Sequence, residues 1–251
     1  MPKKSSISAI LITNNERENI AECMGMLKFC DEIVIVDSGS SDGTVNIAQD
    51  LGAKVHVNTD WQGFGVQKQR ALDLATSDWV LSVDADERIP DKLRQEIRVA
   101  IMDQRYEGYQ INRLSWFLGQ PMRHGGWHPD RILRLARRDK ARFLPAAVHE
   151  RLDVEGPVGQ LGEPMVHYSY RTIDDVLAKL RQYSLASAEV RRRDGFKGGL
   201  SSAISRSLFS FFKAYFLQAG LLDGRRGFVA AVFRSQETFW RYLAVGWDKS
   251  P

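Results

Sequence analysis

Two apolar runs end in acidic residues, and the spacing of those acids suits a metal ion and a phosphorylated ligand. Glu32 to Asp37 reads EIVIVD, and Asp78 to Asp84 reads DWVLSVD. After the second run, Asp84-Ala85-Asp86-Glu87 sets alternating carboxylates at the end of a strand. Such a pattern fits a hard divalent cation that keeps several waters and binds a diphosphate. After the first run comes Ser38-Gly39-Ser40-Ser41-Asp42-Gly43-Thr44. Its glycines permit unusual backbone angles, and its hydroxyls and amides could face a ribose and a base. Neither a GxxxxGK[ST] phosphate loop nor a GxGxxG turn is present. One aspartate at a strand end could simply cap the next helix; two, each in a distinctive loop, point to a site.

The elements that would position these loops alternate regularly. Ile7 to Thr13, Glu32 to Asp37, Lys54 to Val57 and Asp78 to Asp84 are predicted strands. Asn19 to Phe29, Thr44 to Leu51 and Val66 to Ala75 are predicted helices, and Pro90 sits in the first turn of another that carries Leu93, Ile97 and Ile101. This order predicts an α/β fold, an open, mostly parallel sheet with helices on both faces. Ligands of such sheets bind beyond the carboxyl ends of the strands. From Tyr106 the strands become shorter: Tyr109 to Leu114, Arg131 to Leu135 and pieces around Val148 to Val154. From Thr172 the chain reads as helix almost to its end, which predicts one α/β domain over 1–171 and a helical, basic, aromatic segment over 172–251.

Bulk properties exclude several classes. The 251 residues carry a formal charge of +4, with 43% hydrophobic and 26% charged residues, as in an ordinary globular protein. No stretch approaches the ~18 apolar residues of a spanning helix, and the run Ile7 to Ile12 is too short for a signal-peptide core. The expected place is the cytoplasm. Cys23 and Cys30 have neither zinc-knuckle nor redox CxxC spacing and read as reduced thiols.

Thr13-Asn14-Asn15-Glu16, Asp37-Ser38-Gly39-Ser40 with Asp42-Gly43-Thr44, and Val83-Asp84-Ala85-Asp86-Glu87 together resemble, in order and spacing, the three successive signatures of family 2 glycosyltransferases. The resemblance implies the GT-A fold, a nucleotide-sugar donor, usually a UDP-sugar, and Mg²⁺ or Mn²⁺ at the DxD. It assigns Thr13, Asn15, Glu16, Asp37, Gly39, Lys68, Asp84 and Ala85 to the nucleotide sugar, and Asp86 to the metal. Gln69 stands where the family commonly has Asn.

In the second half, His124-Gly125-Gly126-Trp127-His128 resembles the family's glycine-containing acceptor loop, with Gly126, Trp127 and His149 as acceptor contacts. Trp127 either offers a flat face to a sugar ring or serves as a core aromatic. Val148-His149-Glu150-Arg151 sits where inverting members place the base that takes the acceptor's proton, which makes Glu150 the candidate. A surface glutamate after a short strand is the other reading. His167 matches a downstream histidine that serves as a further metal ligand.

The tail holds Phe209, Phe211, Phe212, Tyr215, Phe216, Phe228, Phe233 and Trp240 among Arg191 to Arg193, Arg206, Arg225 and Arg226. It reads either as an amphipathic surface on anionic lipid at the inner face of the inner membrane or as aromatics closing a core. Phe212 to Phe216 with Leu221 to Phe228 resembles the tail of a bacterial subgroup that builds the lipopolysaccharide inner core. That implies UDP-glucose as donor and a lipid-linked heptose as acceptor. A DxD phosphatase or nucleotidyltransferase would need a phosphate-cradling loop after Thr13, which is lacking. A nucleic-acid binder would need a reading motif, and none is found.

Overall fold

The computed structural model describes residues 5–144 and 151–247. Chain order begins β1 (Ile7–Thr13), α1 (Arg17–Leu27), β2 (Glu32–Asp37), α2 (Thr44–Asp50), β3 (Lys54–Val57), α3 (Phe64–Leu74) and β4 (Trp79–Ser82). It continues with β5 (Glu87–Arg88), α4 (Asp91–Ala100), β6 (Gly108–Phe117), β7 (Gln120–Pro121), β8 (Arg131–Arg137), β9 (Ala141–Leu144), β10 (Arg151–Val154), β11 (Val158–Gln160) and β12 (Met165–Tyr170). Three long helices follow: α5 (Ile173–Arg193), α6 (Leu200–Phe212) and α7 (Gly224–Trp247). Pro90 is the amino-cap of α4 rather than part of its first turn.

The main sheet runs β3-β2-β1-β4-β8-β6-β12-β5. Its first four strands are parallel, each joined to the next by a helix. Beyond them β8 pairs antiparallel to β4, and β6 antiparallel to β8. The sheet is therefore mixed: no helix lies between β6 and β8, and without a crossover element adjacent strands pair antiparallel. Helices cover both faces, as the alternation of β1 shows. Ile7, Ala9 and Leu11 pack with Ile20, Met24 and Leu93 of α1 and α4. Ile10 packs with Ala71 and Leu72 of α3 on the opposite face. Two-residue periodicity in the strand thus meets one helix layer on each side.

The chain divides into two compact units. One comprises residues 1–113 and 130–167; the other comprises 114–129 and 168–251. A single boundary after residue 171 does not describe this division, because the segment 114–129 groups with the carboxyl-terminal helices. The reason is apolar: Phe117 and Met122 form a core with Tyr170, Val176, Ala230 and Phe233, against which Trp127 and Leu180 pack. The helices start well, since Thr172 caps α5 with a reciprocal Thr172–Asp175 capping box. After α6 the backbone widens into a π-helical turn over Lys213–Leu217 before α7 begins.

Within this unit the aromatic tail is divided between core and surface. Phe233 is buried, whereas Leu208, Phe209, Phe212, Phe216, Leu217 and Leu222 are exposed. None of the described helices is long and apolar enough to cross a membrane. Cys23 is buried in the first unit's core, Cys30 is half-buried, and both are free thiols.

Candidate active site

Beyond the carboxyl ends of β1 and β2, Thr13 and Asp37 are register partners. Asp37 is fully buried and its carboxylate receives four hydrogen bonds: from the hydroxyls of Thr13 at 2.7 Å and Ser40 at 2.6 Å, and from the amides of Gly39 at 2.9 Å and Ser40 at 2.7 Å. Burial alone would raise its pKa, but these donors favour the charged form and bring it below the usual range. The nucleotide assignment of Asp37 thus meets a carboxylate engaged by its own loop, which it organises. Asn15, at φ 57°, ties the neighbouring loop to it: its amide donates to Ser40 Oγ and its Oδ1 accepts from the Ser41 amide. The Glu16 amide donates to Thr44 Oγ1, and Glu16 Oε2 accepts from Asn19 Nδ2 at 2.7 Å. Gly39 has φ 97°, and a Cβ there would lie 3.0 Å from Thr59 Cγ2. Strain and crowding together favour glycine at this position.

The DxD loop follows β4 and is built on buried charge. Lys68 Nζ lies 2.8 Å from Asp84 Oδ1, and Arg134 Nη2 lies 2.6 Å from Asp84 Oδ2 and 2.7 Å from Glu87 Oε1. The Asp84 amide donates to Glu87 Oε2, closing the loop. Burial opposes ionisation of Asp84, yet the charges of Arg134 and Lys68 overcome it and hold the carboxyl well below its ordinary value. Glu87 is pushed upward by burial, with Arg134 opposing and Asp84 adding to the rise. Ala85 is buried and its carbonyl accepts from Arg88 Nη1.

Asp86 carries the second carboxylate of the motif. Its Oδ2 stands 3.2 Å from His167 Nε2, which β12 delivers opposite Glu87 of β5. About 3 Å is the separation of two cis ligands on an octahedral ion with bonds of roughly 2.1 Å. The chemistry of the pair would suit two protein ligands of a hard cation. No cluster of three or more His, Cys, Asp or Glu side chains forms among the described residues.

Arg134 and Gln67 were not among the sequence candidates. Arg134 interrupts the apolar strand Ile132-Leu133-Arg134-Leu135, and an arginine there implies buried acidic partners. That signal was available. Gln67, fully buried, donates through Nε2 to Ser38 Oγ and the Asn58 carbonyl, supporting the first loop from α3. Gln69 Oε1 instead accepts from the Phe143 amide, so the residue that replaces the family's Asn points toward β9.

The acceptor candidates divide. His149 and Glu150 lie outside the described residues. Trp127 is half-buried, with ring centroids 5.7 Å from Phe117 and 5.7 Å from Tyr170, in the aromatic core of the second unit. In the same unit His124 Nδ1 lies 2.8 Å from Asp223 Oδ1, and the amides of Arg123 and His124 donate to Asp223 Oδ2. One carboxylate thus braces the start of the glycine loop.

Residues 8–151, more than half of the chain, match the family model described as Glycosyl transferase family 2. The chain belongs to that family. LpsC of Rhizobium meliloti (strain 1021), a lipopolysaccharide core biosynthesis glycosyltransferase, is 31% identical over 239 residues, covering 92% of this chain and 88% of its own. An uncharacterized glycosyltransferase of Rickettsia felis is 32% identical over 248 residues, covering 94% of this chain and 87% of its own. Among solved structures, the mannosyltransferase PcManGT of Pyrobaculum calidifontis in complex with GDP-Man and Mn²⁺ gives a TM-score of 0.57 at 15% identity, covering 99% of this chain and 89% of that one. That likeness is one of fold, the GT-A fold that the motifs implied. The glycosyltransferase is thus family 2 by sequence and GT-A by architecture.

Proposed function

We propose that this glycosyltransferase inverts configuration, moving glucose from UDP-glucose to a heptose of the lipopolysaccharide inner core with a divalent metal, Mg²⁺ or Mn²⁺, at the DxD. The observation that carries the metal-assisted reading is the Asp86–His167 pair at 3.2 Å beside an ionised Asp84. The lipopolysaccharide reading rests on the resemblance of the tail and on the relation to LpsC.

In this mechanism Lys68 and Arg134 keep Asp84 charged and oriented, so that its outer face meets the ribose side of the donor. Asp86 and His167 would hold the metal, and when bound it would offset the negative charge growing on the departing diphosphate. Glu150 takes the proton from the acceptor hydroxyl as that oxygen attacks the anomeric carbon from the face opposite the diphosphate. One displacement suffices, and no glycosyl-enzyme forms. The exposed apolar residues of α6, together with the exposed Arg206, Arg225 and Arg226, rest on an anionic membrane where a lipid-linked acceptor is presented.

Calorimetric titration with UDP, UDP-glucose and GDP-mannose, with and without Mn²⁺, tests this reading. Metal-dependent binding of UDP and UDP-glucose that disappears in Asp86→Ala and His167→Ala is the expected result. Metal-independent binding, or binding untouched by both substitutions, removes the metal from the proposal. Preference for GDP-mannose removes UDP-glucose. Glu150→Gln should bind donor normally yet lose transfer, and near-normal transfer would place the base elsewhere.

A further inference from the structure

A second polar site lies within the carboxyl-terminal unit. A cavity of about 420 Å³ opens there, lined among others by Gly126, Lys213, Gln218, Arg234, Glu237 and Arg241. Three cationic side chains face one carboxylate. Glu237 pairs with Arg241 one helical turn away on α7, and the lining keeps a net excess of two positive charges.

Hydrogen bonding shows the same excess of donors. Arg234 Nη1 donates to the Gly125 carbonyl at 2.8 Å and to Gln218 Oε1 at 3.2 Å, while its Nη2 has no partner among the described residues. Arg241 Nε is buried with no acceptor among them. Lys213 makes no ion pair with any described residue. Arginine and lysine are donors only, and a buried donor left without an acceptor, as Arg241 Nε is, costs free energy. Burial lowers the pKa of Arg234 and the Arg241 charge lowers it further, despite Glu237; an anion in the cavity would oppose the Arg241 charge. A metal ion is repelled by such a lining, and a neutral ligand would leave the charges unanswered.

The backbone is shaped for this purpose in two places. The π-helical turn after α6, closed by the Gln218 amide on the Lys213 carbonyl at 2.8 Å, brings both ends of the turn to the cavity. π-turns of this kind occur frequently at functional sites. Gly126 has φ 77°, and a Cβ there would stand 2.6 Å from Gln218 Oε1 and 2.8 Å from Arg234 Nη1. Any larger residue would displace the groups that line the cavity.

We propose that this cavity is an anion subsite that takes a phosphate or carboxylate group of a bound ligand through Lys213, Arg234 and Arg241. Charge-assisted contacts of this type are short and strong, and an arginine fork matches both anions in shape. The proposal rests on the glycosyl-transfer reading only in taking the ligand to be an acidic saccharide acceptor. The anion itself is required by the cavity alone.

The test is a backbone NMR titration of the full chain with inorganic phosphate and with acetate at constant ionic strength. Saturable shifts at the Gly126 and Gln218 amides are expected, with affinity falling about 10-fold or more in Arg241→Gln and measurably in Lys213→Gln. Lys213 is exposed, so its substitution leaves the fold intact if Arg241→Gln does not. Absence of saturable shifts at these amides, or an affinity in both variants unchanged from that of the parent protein, overturns the proposal. Glucose 6-phosphate binding more tightly than glycerol 3-phosphate identifies a saccharide as the carrier; the reverse order identifies a lipid headgroup, and either upholds the site. UDP titrated into the same samples reads the donor site separately, so loss of the transferase reading would leave the cavity result standing.

Discussion

Arg134 is the side chain on which the DxD loop depends. It is almost fully buried and joins Asp84 and Glu87, two carboxylates that would otherwise repel each other. Removing one partner of a buried pair typically costs about 3–5 kcal/mol, because the remaining charge stays uncompensated. Arg134→Met should therefore lower the unfolding free energy by about that amount in urea titrations. A change below about 1 kcal/mol would show that Lys68 alone suffices for Asp84. Glu32 supplies a pH dependence instead. Burial works against its charge, but Lys54, Ser8 and Thr76 donate to it and lower its pKa from 4.5 to about 2. A folded-state value below the unfolded one stabilises above pH 4.5, and that stabilisation is lost as pH falls toward 2. Glu32→Gln should cost on the order of 2 kcal/mol at pH 7, and the difference should vanish by about pH 2. A cost unchanged between pH 7 and pH 3 would assign the effect to packing.

At the scale of elements, α6 is the unusual one. Leu208, Phe209 and Phe212 lie exposed along one stretch, with Phe216 and Leu217 on the π-turn that follows. Large apolar side chains exposed together in this way mark a binding surface. Replacing Leu208, Phe209 and Phe212 together by Ser should abolish sedimentation with vesicles containing phosphatidylglycerol while leaving UDP binding unchanged. Retained sedimentation would exclude this face as the membrane contact. The helices of this region were legible as helices, because aromatic spacing gives the period. Which aromatics turn inward was not, since Phe233 and Phe209 look alike in sequence until the elements they pack against are known. The parallel half of the sheet was legible for a different reason: β1, β2 and β4 are continuous apolar runs closed by polar turns. The antiparallel half, whose β6 runs ten residues where shorter strands were expected, was hidden by interrupting charges such as Arg134, whose acidic partners lie about fifty residues away. The candidate loops were readable through their glycines and acids. The full engagement of Asp37 was not: three of its donors come from its own loop, but the Thr13 hydroxyl reaches it only after β1 and β2 pair.

At the scale of the whole molecule, the second unit is discontinuous in sequence. Residues 114–129 contribute Phe117 and Met122 to a core whose other members come from residues 170–233. A protein ending at residue 171 would retain both residues without the Val176, Ala230 and Phe233 that cover them. It should be insoluble or bind a hydrophobic dye such as ANS, and a soluble, dye-free product would show that the first unit stands alone. The chain passes between the units three times, at 113/114, 129/130 and 167/168. That threading bears on inheritance. A single recombination event near the start of the helices would join segment 114–129 of one parent to the helices of another, splitting a shared aromatic core between two ancestries. The helices of this chain are therefore not an exchangeable cassette: they are inherited intact only together with the segment 114–129.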